Sequence, residues 1–446
     1  MAESSSKRQK TEENAEESES DRLSNLPDSV LCHILSFLPT KTCVTTSVLS
    51  RRWRHLWEHL QVLDLYDDSH IFYHHIELFK RFAVFVNAVF TLRRAHSIRK
   101  FRLSCGHSQN DTFYAHSVAT WVRAAIGPYL EDLCLTLYST DGHGFVVPPS
   151  LFTCTNLVSL SLCGGIHLQN RNPNSVIRLP SLKTLQLDID SVDCIDTLLS
   201  GCPVLETLHL SFAPQCLTKI CVPRSLKRLK YAVENNVEIF LELHAPALEF
   251  LSIVQRTRSF PCSIGNLDNV VEAYLDVYVT DESAEPLFKL LKALSGLKYL
   301  VMRNSTMKWL LRGPNLDLPD FRYLLHLELV LPCFNSGFLM NLLNKCHMLQ
   351  VLIIQNEKDS LFSRNWPQPT SGPNCVGTHL TFVQVKGFQG FADELAFVTY
   401  VLRRGRVLRT MIVYADMMLD LSHKYRILKF LSGVPRASTK CQLNFD

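Results

Sequence analysis

One spacing rule governs most of this chain: an apolar residue, two variable positions, a second apolar residue, one variable position, and a third apolar residue. It is met at Leu60-Leu63-Leu65, Ile98-Phe101-Leu103, Leu130-Leu133-Leu135 and Leu157-Leu160-Leu162. It returns at Leu182-Leu185-Leu187, Leu205-Leu208-Leu210, Leu226-Leu229-Tyr231, Leu248-Leu251-Ile253 and Val270-Ala273-Leu275, and again at Leu297-Leu300-Met302, Leu324-Leu327-Leu329 and Leu349-Leu352-Ile354. The middle residue recurs at intervals from 21 positions, Leu208 to Leu229, up to 38, Leu63 to Phe101. Side chains alternate across an extended strand, so Leu185, Leu187 and Ile189 point to one side while Gln186, Asp188 and Asp190 point to the other. One such strand cannot bury its own apolar face. A stack of them can, and the rule therefore predicts an array whose stability is a sum of repeat and nearest-neighbour contributions.

The rule is that of leucine-rich repeats, whose regular period is about 20 to 29 residues. The pattern thus implies an α/β fold: an irregular leucine-rich-repeat horseshoe solenoid with connections of unequal length. Amphipathic stretches at 117–126, 192–199 and 338–343 are expected as helices covering the other side. Core material is ample, with 46% hydrophobic and 20% charged residues. The longest apolar stretches, such as 82–90, are too short for a transmembrane helix.

A different pattern precedes the repeats. Leu26-Pro27 opens an apolar stretch in which Val30, Leu31, Ile34, Leu35 and Leu38 fall at helical spacing before Pro39. A second segment, Ser47-Val48-Leu49-Ser50-Arg51-Arg52-Trp53-Arg54-His55-Leu56-Trp57, ends in two tryptophans four residues apart. This stretch resembles an F-box, the three-helix module that attaches substrate receptors to the Skp-type adaptor, and through it the cullin, of cullin-RING ubiquitin ligases. The resemblance implies adaptor contacts at Leu26, Pro27, Ile34, Val48, Leu49, Ser50 and Trp53. Related plant sequences usually carry an acidic and a small apolar residue where Thr42-Cys43 stand here.

The last segment, from Asn365-Trp366-Pro367, resembles the FBD domain that follows the repeats in many plant F-box proteins. The match rests on Pro373-Asn374-Cys375, Gly387-Phe388-Gln389-Gly390, Asp393-Glu394-Leu395, Leu408-Arg409-Thr410-Met411 and the closing run from Pro435 to Gln442. Independently of that resemblance, Leu380-Val383-Val385 and Leu408-Met411-Val413 obey the strand rule, so the segment is expected to continue the solenoid and end it with a strand over 440–445 and a polar cap. A separate module hinged on the Pro-rich stretch 367–373 is the alternative. The expected organisation is a disordered Ser/Glu/Lys-rich tail over 1–21, F-box 22–60, repeats 61–364 and FBD segment 365–446.

No motif carries catalytic chemistry, so no enzyme activity and no cofactor are expected. His55 and His59 lie one helical turn apart without a third ligand at zinc-site spacing, and Asp188, Asp190, Asp193 and Asp196 read as strand and helix-start residues. Gly142-His143-Gly144 and Gly164-Gly165 read as turns. The formal charge of +4 comes from scattered Lys and Arg, which argues against a nucleic-acid partner, and no membrane partner is expected. Fifteen cysteines without a Cys-x-x-Cys pair read as reduced core residues, which places the protein in the cytoplasm or nucleus. The remaining functional surface is the outward row of strand side chains, with Gln186, Asp188, His209, Lys230, Tyr274, Asp276, Arg303 and Glu328 as target-binding candidates. The resulting expectation is a substrate-recognition subunit of a ubiquitin ligase. A ligand-dependent receptor and a scaffold that no longer engages the adaptor are the alternatives.

Overall fold

A computed structural model describes residues 26–67, 76–95, 97–107, 112–139, 144–168, 177–192, 195–212, 218–233, 239–256, 260–279, 285–312, 318–357 and 372–446. The expected tail, Gly142-His143, Asp193 and the stretch 367–371 lie outside these residues.

In every occurrence of the spacing rule the second and third apolar residues lie on a strand, and the first precedes it. The main sheet runs through Val62–Tyr66 (β1), Lys100–His107 (β2) and Asp132–Ser139 (β3), with the short Phe145–Val146 (β4) beside Ser159–Leu168 (β5). It continues through Thr184–Val192 (β6), Thr207–Phe212 (β7), Arg228–Val233 (β9), Phe250–Gln255 (β11) and Glu272–Val277 (β13), then Tyr299–Met302 (β14), His326–Leu331 (β15) and Val351–Asn356 (β16). Phe382–Phe388 (β17), Thr410–Ala415 (β18) and Gln442–Phe445 (β19) complete a sheet of 16 strands. Neighbours pair in parallel, and the register places the middle residue of each repeat beside that of the next: Leu185 by Leu208, Leu208 by Leu229, Leu352 by Val383, Val383 by Met411 and Met411 by Leu443. The FBD segment therefore prolongs the solenoid, as the spacing predicts. Buried side chains from Leu31 to Cys441 form one contiguous core.

The opposite side is built in two ways. Helices Ile76–Leu92 (α3), Thr112–Ala125 (α4), Ile195–Ser200 (α5), Glu285–Ala293 (α6), Asn304–Arg312 (α7), Ser336–Asn344 (α8), Asn374–Thr378 (α9), Ala392–Arg404 (α10) and Leu421–Ser432 (α11) occupy connections before β7 and after β13. Between β7 and β13 the connections instead form strands Thr218–Cys221 (β8), Ile239–Leu243 (β10) and Cys262–Ile264 (β12), joined in a second, three-stranded parallel sheet. Helices were the expectation for the connections. The correction has a physical reason: Leu208, Leu229, Leu251 and Ala273 succeed one another at the shortest intervals in the chain, and Ile239, Leu241 and Leu243 are buried while Phe240 is exposed, a period of two. Gly164 also differs from expectation. It lies inside β5, at a register shift, with φ +88°, and a Cβ there would fall 2.3 Å from the Leu137 carbonyl oxygen.

The N-terminal module packs on the first repeat. Asp28–Leu35 (α1) starts at Pro27, whose missing N–H falls where a helix leaves its donors unpaired. Thr40–Thr45 (α2) follows and runs into a 3₁₀ turn at Thr46–Val48. The last element, Trp53–His59, is a 3₁₀ helix where a regular helix was expected, yet Trp53, Leu56 and Trp57 all reach the core.

Candidate functional site

Two surfaces present side chains that the fold does not consume. The first is on the N-terminal module. Of its helically spaced apolar residues, Leu31 and Leu35 are buried, whereas Val30, Ile34 and Leu38 face solvent. Phe37 and Val48 add rings and branches that are 75% and 86% exposed, with Leu49 beside Val48 in sequence. Helix α1 thus has two apolar faces, one for the core and one left open. Soluble surfaces rarely leave such a ridge uncovered without a partner.

The structure locates each residue expected at the adaptor contact. Ile34, on the open face of α1, and Val48 and Leu49 are exposed, as are Ser50 and Pro27. Leu26 packs partly on the core, and Trp53 is buried within it. Arg52 binds Asp28 through Nε at 2.9 Å and Nη2 at 2.7 Å and also donates to the Leu26 carbonyl, tying the loop before Trp53 to the start of α1. Cys43, at the position where the family pattern differs, is a core residue. Its Sγ donates to the Leu35 carbonyl at 3.1 Å, and burial pushes the thiol up to about 11. The neighbouring Thr42 is exposed.

The module is fixed to the solenoid by polar contacts. Thr40 Oγ1 accepts from the Asp64 N–H at 2.8 Å, which caps the otherwise open edge of β1. Glu58 is buried, with His55 Nδ1 at 2.6 Å and Arg94 Nε at 2.7 Å, and its carbonyl accepts from the N–H groups of Arg94 and Ala95. His55, 56% exposed, stays largely in solvent as expected, with one ring nitrogen hydrogen-bonded to Glu58. Among the described residues no group of three or more His, Cys, Asp or Glu is placed to hold a metal.

The second surface is the outward row of the sheet. Gln186 and His209 sit side by side in register, followed by Lys230 and Ser252, then Tyr274, Val301 and Glu328. In the adjacent row the residues carry rings. Arg228 lies 4.3 Å from the centre of the Phe250 ring, and Phe250 meets Tyr274 at 5.6 Å. Tyr274 meets Tyr299 at 5.8 Å, and Tyr299 stacks on His326 at 4.1 Å. A ladder of cation and rings therefore crosses five strands. Such residues supply contact area at low entropic cost and dominate protein interfaces.

Burial, and for Tyr274 its O–H bond to Glu272 at 2.8 Å, raises the Tyr274 and Tyr299 hydroxyls, and burial lowers the His209 and His326 imidazoles. Asp188, Lys230 and Arg303 are exposed, Arg303 lying just past the end of β14. Asp276 is placed differently. At 6% exposure it accepts from the Ser305 N–H at 3.0 Å and lies 3.5 Å from Arg256, so it serves the first turn of α7 and not the open face. The ladder escaped the sequence reading because its members lie in different rows. The signal was an aromatic at the strand start in Phe250, Tyr299 and His326, one residue before the buried middle position.

The FBD signature has a structural task. Glu394, fully buried, accepts through Oε2 from the N–H groups of Gln389 at 2.9 Å, Gly390 at 2.8 Å and Phe391 at 3.1 Å, and through Oε1 from Asn356 at 3.0 Å. Asp393 accepts from the Ser336 N–H at 3.1 Å and from its hydroxyl. Gly387 has φ +70°, at a register shift in β17. These residues turn β17 into α10 and fasten that helix to α8 of the preceding repeats.

A helical module with an uncovered apolar ridge, set on a parallel solenoid with an aromatic outward face, defines an F-box protein with leucine-rich repeats. The F-box domain family matches residues 23–65, the family described as FBD-associated F-box protein At5g56370, LRR repeats, matches 118–266, and the FBD family matches 368–413. Curated relatives run the length of the chain. FBD-associated F-box protein At4g10400 of Arabidopsis thaliana is 30% identical over 96% of this chain and 100% of its own. F-box/FBD/LRR-repeat protein At4g26340 of the same plant is 31% identical over 96% of this chain and 100% of its own. F-box/FBD/LRR-repeat protein At3g52680, also of that plant, is 31% identical over 95% of this chain and 93% of its own. The chain belongs to the F-box/FBD/LRR-repeat family, whose module order is that of a substrate adaptor.

Proposed function

We propose that this protein is the substrate-recognition subunit of a Skp-cullin-F-box ubiquitin ligase, with no catalytic chemistry of its own. The observation that carries the reading is that the N-terminal module buries Leu31 and Leu35 while leaving Ile34, Val48 and Leu49 exposed. These exposed residues dock the Skp-type adaptor. The outward face of the sheet holds a protein target through the ladder from Arg228 to His326. Because one core joins the two surfaces, docking the module fixes the target near the ubiquitin-charged enzyme and raises its effective concentration there. The free thiols of the described cysteines accord with action in the cytoplasm or nucleus.

A ligand-dependent variant of this reading has less support. A cavity of about 430 Å³ opens at the leading ends of β1 to β6, but Gln61, Ser97, Arg99, Glu131 and Asn156 line it, more polar than most small-molecule sites. Proximity labelling in cells with the proteasome inhibited tests the proposal, comparing wild type with Leu26→Ala plus Pro27→Ala. Proteins labelled by both forms, but ubiquitinated only with wild type, support it. Equal ubiquitination with both forms contradicts it.

A further inference from the structure

The C-terminal end of the solenoid does not look like a cap made only for solubility. Terminal repeats of such arrays normally turn a polar face outward. Here Met417, Met418 and Leu421 are 94%, 87% and 84% exposed, and Tyr425, Phe430 and Leu428 are exposed as well. Helix α11 is anchored by a narrow strip, Ile427 and Leu431, with Ile427 against Gly390 of the preceding turn. At about 100° per residue, Leu421, Tyr425 and Leu428 share one side of α11, roughly a quarter turn from that anchor. The helix therefore carries two apolar faces, as α1 does, and only one is used.

Charge frames the open stripe. From Val401 to Asp446 there are nine Lys and Arg against three Asp and Glu, whereas the whole chain is only +4. On α11 itself Arg426 and Lys429 follow the stripe on the side away from the core and Lys424 lies on the other, none in an ion pair with a described residue. Asp420, the acid of this helix, is already committed. It caps α11 by accepting from the His423 N–H at 2.7 Å, with His423 Nδ1 at 2.8 Å, and these bonds hold its carboxyl well below the usual range. The open apolar stripe is about two helical turns long, or roughly 10 Å. That is short for membrane anchoring, which scales with buried apolar area, and matches the i, i+4, i+7 anchors by which one helix packs on another.

We propose that α11, with Met417 and Met418, is a second docking surface, and that it takes an acidic amphipathic helix of a partner protein. The partner's apolar side chains cover Leu421, Tyr425 and Leu428, and its carboxylates face Lys424, Arg426 and Lys429. The two methionines, unbranched and polarizable, adapt to the partner at the start of the stripe.

Fluorescence anisotropy with the full chain tests this, using a short labelled helical peptide with Leu and Phe at i, i+3, i+4 and i+7 and Glu elsewhere. Control peptides carry Gln or Lys in place of Glu, and anionic and neutral phospholipid vesicles are run alongside. The Glu peptide is expected to bind at least tenfold more tightly than the Gln peptide and to weaken with salt. Leu421→Ser plus Tyr425→Ser, and separately Lys424→Glu plus Lys429→Glu, should each abolish that preference with unchanged thermal unfolding. Equal binding of all peptides, binding unaffected by either pair of substitutions, capture by anionic vesicles instead of peptide, or concentration-dependent self-association through the stripe would overturn the proposal.

Discussion

At Glu394 a buried carboxylate serves three backbone donors and one amide at once, and its loss would leave those donors facing an apolar core. Glu394→Ala is therefore expected to cost about 2–4 kcal/mol in urea unfolding. Glu394→Gln, which keeps an acceptor oxygen for the turn, should cost less. The sequence displayed this residue only as part of a resemblance, because a carboxylate bound to the backbone of its own turn leaves no periodic trace. Histidines on the outward face give a second test. Burial holds His209 and His326 below the ordinary imidazole value, so the unfolded chain takes up protons first as pH falls. Their contribution is fully present above the unfolded value of about 6.5 and is lost as pH drops below it. Urea midpoints should fall between about pH 7.5 and 5.5, and His209→Gln plus His326→Gln should flatten that slope. An unchanged slope would mean that these rings are as free as in water.

Among the elements, the inward strands were legible because one apolar spacing specifies both the strand and the face it buries. The middle residues from Leu63 to Met411 all pair in register as that spacing requires. The back of the solenoid was less legible, since a connection of a dozen residues supports a helix or a short strand alike and neighbours decide. Strand β10 lies between β8 and β12, and the Leu241 N–H donates to the Pro261 carbonyl at 3.0 Å. Leu241→Pro removes that donor and should speed hydrogen exchange across 218–265 while sparing β15 to β18. Uniform acceleration through the whole sheet would show that the second sheet is not a local unit. In the inward row, Leu352→Ala should cost about 2–5 kcal/mol.

The molecule as a whole is one core with the F-box module at one end and the FBD strands at the other. Deleting everything after Glu357 would bare the edge of β16, which β17 now pairs from Val351 to Gln355. The shortened chain is expected to unfold at markedly lower urea and to aggregate, an outcome that a separately folded C-terminal module would not produce. The central claim, that the N-terminal module is a docking device and the array its rigid extension, is tested most directly by titrating the full chain with a purified Skp-type adaptor in a calorimeter. The account predicts one adaptor per chain, with binding abolished by Val48→Asp plus Leu49→Asp at unchanged thermal unfolding. Absence of binding by the wild type, or binding that survives both aspartates, would contradict it.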